Sequence, residues 1–140
     1  MLKLWYAPRT RAVRIVWLLE ELGLPYQLER VEFTPTTNEF FIQKSPLGKL
    51  PTLEDGEVVM CESGAIVEYI IARHGGGRLT VAPERSNYPD YLYWLHFANG
   101  TMMPTFTMDM VGPMAGLSPD HPIVQAFANR GGVVIADNVI

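Results

Sequence analysis

The stretch from Lys49 to Tyr69, KLPTLEDGEVVMCESGAIVEY, leaves a chain few ways to fold. Pro51 brings no backbone N–H, so a strand can start at it but cannot carry it through the middle of a sheet. Two strand-like runs, Pro51 to Leu53 and Val58 to Cys61, flank Glu54-Asp55-Gly56-Glu57. Asp-Gly at the centre of a two-residue loop is a strong hairpin signal, because glycine takes positive φ without steric cost. From Glu62 to His74 apolar residues recur at helical spacing, with Ile66, Val67, Ile70 and Ile71 on one face. The Gly75-Gly76-Gly77 run stops that helix.

The N-terminal part reads as strand, helix, strand. Leu2 to Ala7 is a short apolar and aromatic run ending at Pro8, which suits a buried strand. Thr10 stands at a helix N-cap position, and a helix follows from Arg11 to Leu22. Its expected apolar stripe holds Val13, Val16 and Trp17 and continues to Leu24, with Glu20 and Glu21 outside. Gly23 and Pro25 end it. Tyr26 to Phe33 alternates apolar and polar residues, a period-two strand. A right-handed parallel βαβ unit is the expectation. Asn38 to Lys44 reads as a short helix and Ser45-Pro46-Leu47-Gly48 as a turn, so the first 77 residues read βαβ, then α, then ββα.

Residues 78–87 read as a linker, and residues 88–140 as a helical region. Tyr88 to about Val111 is one long helix, which Gly100 and Pro104 should bend or interrupt. Pro113 to Pro119 is expected as a loop, Asp120 to Arg130 as a helix, and an apolar tail follows. Met102, Met103, Met108 and Met110 are expected in a helical core, with an adaptable binding wall as the alternative.

Several function classes are disfavoured at once. A net charge of −4 gives no electrostatic footprint for nucleic acid or an anionic membrane surface. No run approaches the roughly 20 apolar residues of a membrane span. Pro8, Arg9, Arg11 and Arg14 break up any secretory apolar region near the start. The one cysteine, Cys61, forms no internal disulfide, which fits a reducing, cytoplasmic setting. It is expected to be a small buried hydrophobe rather than a nucleophile. The three histidines are scattered, with no metal-ligand spacing.

The order βαβ-α-ββα with a proline introducing the third strand is that of a thioredoxin-like domain. The chain resembles the glutathione S-transferase family over roughly residues 1–110. The matching stretches are WYAPRTRAVRIVWLLEELGLPYQLERVEF, KSPLGKLPTLEDGEVVMCESGAIVEYIIARHG and RLTVAPERSNYPDYLYWLHF. The resemblance implies an α/β thioredoxin-like domain at 1–77, followed after the linker by an all-α domain. Relative to the family this second domain is truncated: only residues 88–140 remain for it, and Val134 stands where a capping Ser or Thr would be.

The resemblance also implies site residues. The Leu50–Pro51 bond is cis in the family, which turns the Leu50 backbone outward to pair with an extended tripeptide; a trans proline opening an edge strand is the alternative. Glu62 and Ser63 stand at a helix start, whose free N–H groups suit a carboxylate. There Ser63 donates to the γ-glutamyl carboxylate and Glu62 takes the adjacent ammonium, unless Ser63 is only an N-cap. Lys49 is placed to meet the glycyl carboxylate or to be solvated. Family members lower the pKa of the bound thiol with a donor near the first helix start. Ala7, at one such position, has no hydroxyl, so Thr10 and Tyr6 are the catalytic candidates. Thr10 as a mere cap and Tyr6 as a packing residue are the alternatives, and Arg9 and Arg11 add either thiolate-stabilising charge or solvated surface.

The implied activity is attack of glutathione's thiolate on a small hydrophobic electrophile, or peroxide reduction, in detoxification by a cytoplasmic homodimer. Glutathione is the co-substrate, and no metal, nucleic acid or membrane is involved. A non-catalytic binding or regulatory module and an inactive truncated product are the rival readings.

Overall fold

The structure, a computed structural model, describes residues 1–32, 39–45 and 48–129, and its chain divides into two units, Met1–Thr80 and Val81–Ile140. In the first unit the elements run β1 (Leu2–Tyr6), α1 (Ala12–Leu22), β2 (Tyr26–Arg30), α2 (Glu39–Lys44), β3 (Thr52–Asp55), β4 (Val58–Cys61) and α3 (Ser63–His74). The sheet order is β2-β1-β3-β4. β1 pairs parallel with β2, Leu2 opposite Tyr26, and antiparallel with β3, Trp5 opposite Thr52. β3 and β4 form the hairpin, Thr52 opposite Cys61. This is the thioredoxin-like order expected from the sequence.

Alternation along β1 builds a core on each face. Leu2 and Leu4 pack with Ile15, Leu18 and Leu19 of α1, Leu53 of β3, and Ile66, Ile70 and Ile71 of α3. On the other face Trp5 joins Val31 and Phe41 of α2, its ring centroid 5.9 Å from that of Phe41. Helices therefore cover both faces, and the ends of β1, β3 and β4 are held in fixed positions.

Local expectations were corrected in several places. The buried stripe of α1 is Ala12, Ile15, Leu18 and Leu19, while Val13 and Trp17 are 68% and 72% exposed. In a helix with so many apolar residues, two stripes compete, and packing against β1 and α3 selects one. β2 ends at Arg30 rather than Phe33, and Leu28 is exposed because β2 is an edge strand. Phe33 lies outside the described residues. The hairpin loop is Gly56-Glu57, with Asp55 the last residue of β3 and Gly56 at φ 61°. The Leu50–Pro51 bond is cis, as expected.

In the second unit α4 (Tyr88–Phe97), a π-helical turn (Ala98–Met102) and α5 (Met103–Met114) follow without a break, and residues 122–129 form α6. The interruption expected near Gly100 and Pro104 is this π turn, where the Met103 N–H donates to Ala98 O, five residues back. Pro104 offers no N–H to the Gly100 carbonyl, and a wide turn accommodates that loss. Pro113 lies inside α5 instead of opening a loop, since α5 closes only at Met114. Of the four methionines expected in a core none is buried, and Met110 is 61% exposed. Instead Phe97, Thr105, Gly112 and Val124 are buried, and a Cβ at Gly112 would stand 3.4 Å from Val124 Cγ2. The tail holding Val134 lies outside the described residues.

Candidate functional site

The two segments that flank the hairpin, one before β3 and one after β4, face each other across an open cavity. It has a volume of about 390 Å³ and is lined by Arg11, Gly48, Lys49, Leu50, Pro51, Glu62 and Ser63. Thus Lys49, Leu50, Pro51, Glu62 and Ser63 are brought together. Tyr6 and Thr10 are not among the lining residues.

The α3 side supplies charge and strain. Glu62 sits at the N-cap with φ 72° and ψ 106°, and its carbonyl accepts from the Ile66 N–H at 2.9 Å. A non-glycine residue at positive φ costs about 1–3 kcal/mol and persists where surrounding structure imposes it. Ser63 is the first helical residue and is buried, so the alternative of Ser63 as N-cap is corrected: Glu62 holds that place and makes no side-chain capping bond. The first-turn N–H groups of Ser63, Gly64 and Ala65 have no acceptor within the helix. With the positive end of the helix dipole, they form an anion-binding edge at the cavity wall.

The opposite wall is backbone. Leu50 is half-buried, and among the described residues no hydrogen bond engages its N–H or C=O. Its neighbour Lys49 has an exposed side chain, but its N–H donates to Ser45 Oγ at 3.2 Å, and its carbonyl accepts from Ser45 Oγ at 3.1 Å and Thr52 Oγ1 at 3.0 Å. A strand-like edge, unpaired among the described residues, thus faces a helix N-terminus, a geometry suited to an extended peptide with a terminal carboxylate. Lys49 and Arg11 add cationic ends, and Glu62 an anionic one.

The start of α1 differs from expectation. Thr10 lies one residue before the N-cap, which is Arg11. The Thr10 hydroxyl donates to the Ala7 carbonyl at 2.7 Å and accepts from the Ala12 N–H at 3.3 Å. Tyr6 is half-buried at the end of β1. Arg11 is the residue sequence reasoning undervalued: it lines the cavity, and its charge, after burial, helps hold the Arg14 guanidinium below its usual value. Nothing in the sequence distinguishes it from Arg9, which is exposed. Cys61 is half-buried rather than buried, with its Sγ 3.3 Å from Ser45 Oγ and 3.4 Å from Thr52 Oγ1. Among the described residues no group of His, Cys, Asp or Glu is arranged to hold a metal ion, and no helix is long and apolar enough to cross a membrane.

Comparison with known proteins bears on the family and the fold. The family profile described as glutathione S-transferase, N-terminal domain, matches residues 1–72. Glutathione S-transferase 3 of Schizosaccharomyces pombe is 33% identical over 107 residues, covering 74% of this chain and 43% of the relative. Glutathione S-transferase GstB of Escherichia coli K12 is 36% identical over 108 residues, covering 73% of this chain and 51% of the relative. Among solved structures, a glutathione S-transferase from Actinobacillus pleuropneumoniae superposes with a TM-score of 0.78 at 28% identity, over 97% of this chain and 63% of that one. A glutathione transferase family member from Pseudomonas fluorescens, solved with two glutathione bound, gives 0.77 at 26% identity, over 96% and 63%. The chain thus spans about half the length of these two curated relatives. With the N-terminal profile covering more than half of its residues, the chain belongs to the glutathione S-transferase family.

Proposed function

We propose that the protein binds glutathione in the cavity between Leu50 and Ser63 and activates its thiol for attack on a small hydrophobic electrophile or a peroxide. The observation that carries this reading is the convergence of Lys49, Leu50, Pro51, Glu62, Ser63 and Arg11 on one open groove. The Leu50 backbone pairs with the cysteinyl residue, the α3 N-terminus and Ser63 take the γ-glutamyl carboxylate, Glu62 takes the ammonium, and Lys49 meets the glycyl carboxylate. Structures of family members with bound glutathione support the ligand.

In conjugation the thiol loses its proton to solvent, and the thiolate forms a C–S bond as the electrophile's leaving group departs. Thr10 and Tyr6 are the proposed hydroxyl donors to the thiolate, with Arg11 as a nearby positive charge. To act, the Thr10 hydroxyl has to turn from the Ala7 carbonyl toward the sulfur. That engagement, together with the place of Thr10 and Tyr6 outside the cavity lining, favours the second reading, a module that binds glutathione without turning it over. The homodimer and the cytoplasmic, detoxifying role belong to the same proposal.

The test is calorimetric titration with glutathione, together with turnover of a generic aryl halide with and without it. Binding with turnover supports the enzyme, binding without turnover or thiolate formation supports the module, and no binding overturns both.

A further inference from the structure

We propose that Ser45 and Thr52 are positioning residues for this groove: their buried hydroxyls hold the Lys49 main chain from behind and so fix the direction of the Leu50 edge. The proposal rests on the glutathione reading and adds to it two residues that do not line the cavity.

Ser45 follows the last residue of α2, and Thr52 opens β3; both are 0% exposed. The Ser45 backbone is anchored on both sides, its N–H donating to Phe41 O and its carbonyl accepting from Gly48 N–H, each at 2.7 Å. From that anchored place its hydroxyl reaches both polar groups of Lys49, and the Thr52 hydroxyl reaches the Lys49 carbonyl as well. A residue whose side chain is in solvent thus has its main chain tied to the interior, immediately before the residue that faces the ligand.

The hydrogens can be placed without a gap. A carbonyl oxygen has two lone pairs, so Lys49 O takes both hydroxyl protons. The Ser45 oxygen accepts the Lys49 N–H, and the Cys61 thiol, within reach of both oxygens, donates to one of them. Buried hydroxyls are costly unless hydrogen-bonded, and an apolar pair would fill the same space. Their polar bonds converge on the two main-chain groups of one residue, and the Lys49 carbonyl shares its peptide plane with the Leu50 N–H, so what they contribute is the orientation of that plane.

The experiment compares Thr52→Val, which removes the hydroxyl at nearly constant volume, with Thr52→Ser, which keeps it, and adds Ser45→Ala. Calorimetry measures glutathione Kd, hydrogen exchange follows the Lys49 and Leu50 amides, and ultraviolet titration gives the pKa of the bound thiol. Thr52→Val and Ser45→Ala are expected to raise Kd roughly 3- to 10-fold each and to speed exchange at Lys49. Thr52→Ser should stay near the unsubstituted protein, and the bound-thiol pKa should not move, because neither residue touches the sulfur. Equal losses in Thr52→Val and Thr52→Ser would make the effect one of packing and overturn the proposal, as would unchanged Kd in the folded variants. Where Ser45→Ala does not fold, the Thr52 pair decides. If the unsubstituted protein binds no glutathione, the functional reading fails separately. In that event faster Lys49 exchange in Thr52→Val alone upholds the clamp, and unchanged exchange overturns it.

Discussion

His74 Nε2 lies 2.7 Å from Asp55 Oδ2, joining the last residue of α3 to the last residue of β3. The Tyr69 hydroxyl donates to the same carboxylate oxygen at 3.0 Å. These bonds, the His74 bond foremost, hold the Asp55 carboxyl below its usual range, against the opposing effect of burial. A carboxyl with a depressed folded-state pKa contributes stability that is present above its unfolded value, near 3.9, and is lost as pH falls through the folded value. Asp55→Asn should therefore lower the unfolding midpoint by a few degrees at pH 6. The gap from the unsubstituted protein should close as pH drops below about 4. Thermal melts from pH 2 to 7 check this; a gap constant across that range would remove the carboxylate from the account.

Glu62→Gly should separate stability from binding. Glycine adopts the φ of 72° found at this position without steric cost, so the variant should unfold at a higher temperature or lose little. It also removes the carboxylate facing the groove, and glutathione affinity should fall. A variant that is both less stable and equally tight in binding would contradict both halves.

Ser63→Ala and Glu62→Ala should each weaken glutathione binding by about 1.5–3 kcal/mol, the usual loss for a hydrogen bond to a charged group. Calorimetry at constant salt is the measurement. Unchanged affinity in both would return these residues to helix initiation and packing.

Thr10→Val tests thiol activation. If the Thr10 hydroxyl turns to the thiolate, its removal should raise the pKa of bound glutathione and lower kcat by on the order of 10²-fold, with Kd little changed. Arg11→Gln should raise the thiol pKa as well, since a lost positive charge disfavours the anion. A titration curve unmoved in both variants would point to Tyr6 or backbone amides.

Tyr26 gives an independent spectroscopic check. Its hydroxyl donates to Glu20 Oε1 at 2.7 Å, and that bond, then burial, pushes the phenol up to about 12. Glu20→Gln should bring the tyrosinate absorbance transition back toward the ordinary value near 10.

The succession of elements, the hairpin and α3 were legible because each has a local signature: Pro51 before a strand, Asp55-Gly56 near a turn, Ile66, Ile70 and Ile71 at helical spacing; the thioredoxin-like arrangement of the strands followed from the family resemblance. The contribution of Ser45 was not, since a serine in a Ser-Pro turn looks like turn chemistry until α2 and β3 bring it against Lys49. Arg11 faced the same difficulty. Two arginines bracket Thr10, and only the direction in which the chain enters α1 decides which one turns to the groove. The exposed Trp17 shows the limit from the other side, because α1 carries enough apolar residues to offer two faces and tertiary packing chose between them.

The hairpin acts as a spacer gauge. Lys49 to Pro51 lead into β3 and Glu62 leads out of β4, so the two walls of the groove leave neighbouring strands, which lie about 4.8 Å apart. The gauge is read at its open end, beside the Thr52–Cys61 pair, while the Gly56-Glu57 turn is at the closed end, about 13 Å away along the strands. Residues added at that turn would lengthen a loop without resetting the opening, which makes it a place to insert a tag or a fluorophore. Deleting one residue from either strand would slip the pairing and turn its side chains to the opposite face. The groove would then be lost although every residue lining it remained in the sequence.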